Sequence, residues 1–161
     1  VPSSVYRVDR LDYSDVANGE RFIEDHGDNL RFIASWDRWL LWNKRRWVED
    51  ELNNSLALAI ETAKKTVADA RALVDEGEDA KAAQRAHASA RGLLQVTRMR
   101  NMFTAATAMG VSLTPHELNV HHMLLNVANG TIDLTTGYLR PHRRGWSPWA
   151  SAGVACRPGS G

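Results

Sequence analysis

The residues best suited to chemistry in this chain are basic. Arg140-Pro141-His142-Arg143-Arg144 sets three guanidinium groups and an imidazole within five positions, and Lys44-Arg45-Arg46 gathers three more cations. Lys and Arg clustered in this way hold phosphates without reading sequence. Trp36, Trp39, Trp42 and Trp47 fall within twelve residues around the second cluster. Beside cations, such rings could be platforms for nucleobases. The alternation of Trp39 and Leu41 with Leu40 and Trp42 is equally what a strand buried on both faces requires, with the rings packing a hairpin against its neighbours.

Other chemistry has little to work with. His121 and His122 are adjacent, and successive side chains of a strand point to opposite faces, so they are expected to chelate no metal. Cys156 is the only cysteine, which excludes an internal disulfide and a four-thiolate zinc site, and its Gly/Pro/Ser-rich surroundings could not hold a nucleophile in place. Catalytic carboxylates come as positioned pairs or around a metal. Asp37 and Asp133 are read instead as turn residues whose carboxylates bond backbone amides. No phosphate-binding G-x-x-x-x-G-K-[ST] loop, G-x-G-x-x-G, H-E-x-x-H or G-x-S-x-G occurs. No active site and no cofactor are expected.

The elements that must position these residues follow from periodicity and turn signals. The 161 residues, 43% hydrophobic, fit one domain or a domain with an appendage. With no run of about 18 apolar residues and no basic-then-apolar leader, a cytoplasmic protein that spans no membrane is expected. Net charge is +1, yet residues 1–80 sum to −6 and residues 81–161 to +7. The asymmetry points to an anionic partner for the C-terminal half, or to two halves that neutralise each other.

The stretch from Ser14 to Asp28 reads as a short helix, with Ser14 or Asp15 as cap, Val16, Phe22 and Ile23 as apolar face, and Gly27 as a left-handed stop. A Trp-rich β-hairpin turning at Asn43-Lys44 follows. From Glu49 to Gly77 the residues Leu52, Leu56, Ile60, Ala63, Val67, Ala70 and Val74 trace a long amphipathic helix. Two alanine-rich helices, the second closed by Gly110, complete a helical bundle to which Lys81, Arg85, Arg91, Arg98 and Arg100 lend basic character. Thr114-Pro115-His116-Glu117 has the parts of a capped helical turn. A C-terminal β-meander, turning at Asn129-Gly130 and again at Thr135-Thr136-Gly137, ends the pattern. The fold class expected is α+β, mostly α.

Two separated phrases also resemble a known family. Glu20-Arg21-Phe22, His26-Gly27-Asp28, the Trp36–Trp47 stretch, Leu125-Asn126, Asn129-Gly130-Thr131, Asp133-Leu134, Thr136-Gly137 and Pro141-His142 resemble the domain that precedes the helicase in phage and plasmid primase-helicases of the poxvirus type. The resemblance spans residues 13–144, between a lead-in at 1–12 and an irregular tail at 145–161. It implies a non-catalytic connector or collar, with ATP chemistry left to neighbouring domains and with a primase or helicase domain, or further copies of itself, as protein partner. DNA backbone would meet Lys44, Arg45, Arg46, Arg140, Arg143 and Arg144. The tail departs from the family phrase in a way that a shifted reading frame would produce, so a frameshifted or truncated gene is expected. The alternative is a stand-alone interaction module, or an inactive prophage remnant, that binds a replication protein and no nucleic acid.

Overall fold

Ser14 starts the first helix. Its hydroxyl oxygen accepts from the Ala17 amide at 3.2 Å, satisfying one of the donors that every helix N-terminus leaves over. In the computed structural model, which describes residues 12–75, 80–119 and 121–145, that helix is α1, Asp15–His26. The expected lead-in and tail lie outside the described residues apart from Asp12 and Gly145. The helix ends differently from expectation. Gly27 has φ −57°, in the right-handed region, so the chain tightens into a 3₁₀ turn over Gly27–Asn29 instead of stopping at a left-handed cap.

Among the described residues three further helices follow: α2 at Asn54–Asp75, α3 at Ala80–Gly92 and α4 at Val96–Thr107. The described residues also form seven short strands: β1 Leu30–Ile33, β2 Arg38–Trp42, β3 Trp47–Glu49, β4 Ser112–Leu113, β5 Leu124–Val127, β6 Gly130–Asp133 and β7 Leu139–Arg140. The class is α+β and mostly α. The strands form two sheets, in the orders β3-β2-β1-β4 and β5-β6-β7. Among the described residues no helix is long and apolar enough to cross a membrane.

The chain divides into two compact units that do not follow the sequence halves. The first takes the described parts of residues 1–28 and 52–112, and the second those of 29–51 and 113–161.

In the first unit α1 packs chiefly on α4, and α2 on α3. The buried faces are built from small residues. Ala59, Ala63 and Ala70 of α2 and Ala83, Ala86 and Ala90 of α3 are covered, together with Ser55, Thr62 and Thr66. Leu52 and Leu56, read as the start of the apolar stripe, are 81% and 42% exposed. Leu52 precedes α2 and Leu56 lies in its first turn, while further along the stripe Ala63 and Ala70 are covered and Val67 packs against Ala70, Ala86 and Ala90. On α1 the covered face is Ala17, Asn18, Gly19 and Phe22, while Val16 is exposed. A Cβ on Gly19 would stand 3.0 Å from the Ala105 Cβ and 3.2 Å from the Ala106 amide nitrogen, so the glycine inside the helix is what lets α4 come close. Arg98 closes the joint, donating to Asp15 Oδ1 at 2.7 Å and to the Tyr13 carbonyl at 2.6 Å. One of the expected basic residues is thus spent on the unit's own interior.

In the second unit the three Trp-hairpin strands pair antiparallel, with Leu41 opposite both Leu30 and Val48. Ile33, Leu40, Trp47 and Leu118 form its core, with Trp42 and Leu113 packed against it. The capped turn forms as a 3₁₀ helix, Pro115–Asn119, and Thr114 donates both its amide and its hydroxyl to Glu117 Oε2. Those bonds hold the exposed Glu117 carboxyl below the usual carboxylate range. The meander differs at its first turn. Val127 pairs with Gly130, so Ala128 and Asn129 make the loop and Gly130 opens β6. Gly130 serves close approach: a Cβ there would lie 2.5 Å from the Arg140 carbonyl oxygen. Gly137, by contrast, does take the left-handed conformation, with φ +74°. Gly130→Ala should therefore force β7 away from β6 and destabilise the second unit by about 1–3 kcal/mol, read as a lower urea midpoint at unchanged m-value.

Candidate nucleic-acid interface

Lys44, Arg45 and Arg46 sit where β2 turns into β3. The Asn43 side chain makes this turn, its Oδ1 accepting from the Arg45 amide at 3.0 Å and from the Arg46 amide at 2.9 Å. Lys44 then occupies the left-handed region at φ 73°. That costs a lysine some strain, which the two Asn43 bonds offset. The turn holds Lys44 and Arg45 exposed and Arg46 half-buried.

The other basic cluster reaches the same unit from the far end of the chain. Trp47, the first residue of β3, is only 5% exposed, and its Nε1–H donates to the Arg144 carbonyl at 3.2 Å. Arg45 is tied in as well: its carbonyl accepts from Asn126 Nδ2 on β5 at 3.1 Å. The Asn126 side chain is 1% exposed, and its Oδ1 accepts from the Thr131 hydroxyl at 3.3 Å. One of these bonds ties Arg144 to Trp47, next to 44–46, and the other ties Arg45 to β5 of the sheet that also holds Arg140, although about a hundred residues separate the two clusters in sequence. Arg31 joins from β1, its guanidinium 4.8 Å from the Trp47 ring centre. Nothing in the periodicity singled out Arg31 or Asn126; the alternation of β1 marks Arg31 as facing opposite to Leu30 and no more.

The six cations expected at such a site are not equivalent. Arg143 and Arg144 are exposed, in the segment anchored by Trp47. Arg140 lies on β7 in an ion pair, its Nη2 3.0 Å from Asp133 Oδ2. The other Asp133 oxygen accepts from the Thr135 amide at 3.0 Å, so Asp133 does serve its turn. His142 is not presented to a phosphate: both its ring nitrogens are buried without a hydrogen-bond partner among the described residues.

The tryptophans divide in the same way. Trp42 and Trp47 pack with ring centres 5.5 Å apart, and Trp39 against Phe32 at 5.1 Å, so these rings hold the sheet together. Trp36, in the β1–β2 turn, is 41% exposed. The histidine pair also departs from expectation. His121 and His122 precede β5 in a loop and turn instead of a strand, and both line one open hollow of about 500 Å³ together with Asp133 and Arg140. Among the described residues no cluster of three or more His, Cys, Asp or Glu side chains could hold a metal ion.

Residues 19–145 match the family described as D5 N terminal like. The match takes in both units and both basic clusters. A search of curated proteins found nothing that matches the chain.

Asn126 is the test of how the two clusters are joined. Asn126→Ala leaves the Arg45 carbonyl and the Thr131 hydroxyl unbonded and should cost about 1–3 kcal/mol in a denaturant titration. Amide exchange should rise in the 43–46 turn before it rises in α1 or α4.

Proposed function

The chain belongs to the D5 N-terminal-like family, the N-terminal region of primase-helicase proteins, and from that premise we propose that it is a non-catalytic connector that holds nucleic-acid backbone. The fuller reading is a phage- or plasmid-type primase-helicase of the poxvirus type, in which this region helps to position and oligomerise the helicase ring during DNA replication. One observation carries the backbone contact. Trp47 and Asn126 spend buried hydrogen bonds on fixing two basic segments, 44–46 and 140–144, to one unit. Exposed cations on a rigid framework favour phosphate wherever the strand is presented, because the attraction comes from charge and released counterions and not from base edges.

A second reading has its own support. Leu52, Leu94 and Val96 of the first unit are 81%, 45% and 61% exposed, and apolar residues left in water suit a protein partner. Salt separates the two readings.

Fluorescence anisotropy with single-stranded and forked DNA, at about 50 and 200 mM salt, is the decisive titration. Affinity should fall steeply over that range. Arg45→Ala should weaken binding to all sequences alike and lower the magnitude of the log–log salt slope by roughly one. No binding at the lower salt would overturn the backbone reading and leave the apolar surface of the first unit as the functional one.

A further inference from the structure

On the second unit, β6 and β7 pair through Thr131↔Arg140 and Ile132↔Leu139. The pairing continues one step further, since the Asp133 amide donates to the Tyr138 carbonyl at 3.0 Å. Directly opposite residues of an antiparallel pair share a face, and alternate residues along a strand return to it. Tyr138 therefore stands on the face that carries Asp133 and Arg140. Leu124, opposite Asp133 on β5, belongs to the same face. Leu124, Asp133 and Arg140 of this face line the hollow of about 500 Å³ together with His121 and His122, and Tyr138 stands outside that lining. The hollow's volume is in the range of small-ligand sites, but it is open, which suits a unit of a polymer better than a sequestered molecule.

Charge and ring are placed for two different parts of one ligand. Asp133, bonded to the Thr135 amide and to Arg140, fixes the guanidinium in the wall of the hollow. Its negative charge is opposed by that same guanidinium, so Arg140 needs the two imidazoles beside it to favour an anion. The Tyr138 ring is 71% exposed, in contrast to the buried Trp47 of the same unit. An aromatic face bare to solvent next to phosphate-holding groups is how proteins grip unpaired bases, which stack on it whatever their identity. A base within a duplex has no face to offer.

We propose that this hollow and the Tyr138 ring on the same sheet face outside it form a one-nucleotide subsite for single-stranded nucleic acid, with the phosphate against His121, His122 and Arg140 and the base stacked on Tyr138. The subsite rests on the backbone-contact reading above and adds to it the state of the strand. No covalent step and no metal are involved.

The test uses the whole chain and three fluorescein-labelled probes of about 15 nucleotides, within the reach of known single-strand sites. They are oligo-dT, an abasic deoxyribose-phosphate strand of equal length, and a duplex. Oligo-dT should bind on the order of tenfold more tightly than the abasic strand, the usual effect of stacking one base. Tyr138→Ala should bring oligo-dT to the abasic level, and Tyr138→Trp should restore the preference. His121→Ala with His122→Ala should weaken oligo-dT and the abasic strand together. Because Tyr138 is mostly exposed, its truncation is not expected to unfold the unit, and a circular dichroism melt checks this. Equal affinity of the wild-type chain for oligo-dT and the abasic strand overturns the subsite alone, as does a preference that survives Tyr138→Ala. Failure of all three probes to bind overturns the backbone reading and the subsite with it.

Discussion

A buried indole must do two things at once: remove its rings from water and find an acceptor for its N–H. Trp47 meets both demands within the second unit. Its rings lie with Ile33, Leu40 and Leu118 and against Trp42, and a residue of this size supplies a large share of a small core. Its Nε1–H has to be satisfied because an orphaned donor would forfeit about 1–3 kcal/mol. The acceptor is the carbonyl of Arg144, 97 residues further along. One requirement of core packing thereby fixes the end of a basic segment that has no regular structure beyond β7. The last of these cations, Arg144, owes its anchored backbone to a tryptophan, and the same tryptophan begins the strand whose preceding turn carries 44–46.

Asn126 repeats the logic with an amide. It is almost wholly buried on β5, and an unpaired carboxamide there would be costly, so both ends of the side chain are engaged: Nδ2 by the Arg45 carbonyl and Oδ1 by the Thr131 hydroxyl. Apolar contacts alone would let two small sheets slide by a residue with little penalty. A directional bond from each of two buried polar donors allows one register only. The first unit meets the same demand locally: the fully buried Asn18 donates Nδ2 to the Tyr13 carbonyl at 3.1 Å and accepts from Arg21 at 2.9 Å, partners within five residues. Its helices meet through alanine, glycine and threonine, and its polar joint of Arg98, Asp15 and Asn101 caps and orients helices without gathering exposed charge.

What the amino-acid sequence makes legible is the chemistry that acts within a few residues. Ser14 reaches Ala17, Glu117 bonds Thr114, Asp133 takes the Thr135 amide, and Gly137 turns left-handed, all within four positions of one another in sequence. The class, α+β and mostly α, follows from the same local signals. The misreadings arise at the ends of elements and where a distant partner decides. Leu52 and Leu56 have the right spacing for a buried stripe, but Leu52 precedes α2 and Leu56 lies in its first turn, so both stay exposed while Ala63 and Ala70 of the same stripe are covered. Gly130 looked like the corner of a hairpin and is a point of close contact with β7. Gly27 looked like a left-handed cap, and the chain tightens there instead. Of the site, the residue types and the two clusters could be read, because charge is local. Their joining could not, because it rests on Trp47 and Asn126, whose partners lie 97 and 81 residues away. Tyr138 was invisible for a related reason: its meaning depends on the register of β6 and β7 and not on its neighbours in sequence.

The elements of the second unit also bear on what kind of recognition its surface can perform. Reading base pairs requires an α-helix or a two-stranded ribbon long enough to enter the major groove and bring several side chains to base edges. The described residues of this unit include no α-helix, and its strands run two to five residues. A surface of this kind can offer cations to phosphates and an aromatic face to an unpaired base, and both contacts are indifferent to sequence. That indifference would suit the proposed connector, if its neighbours travel along any template. Sequence-specific attachment would halt such a protein at its best site, whereas contacts that are individually modest and alike at every nucleotide can be broken and remade as the strand advances.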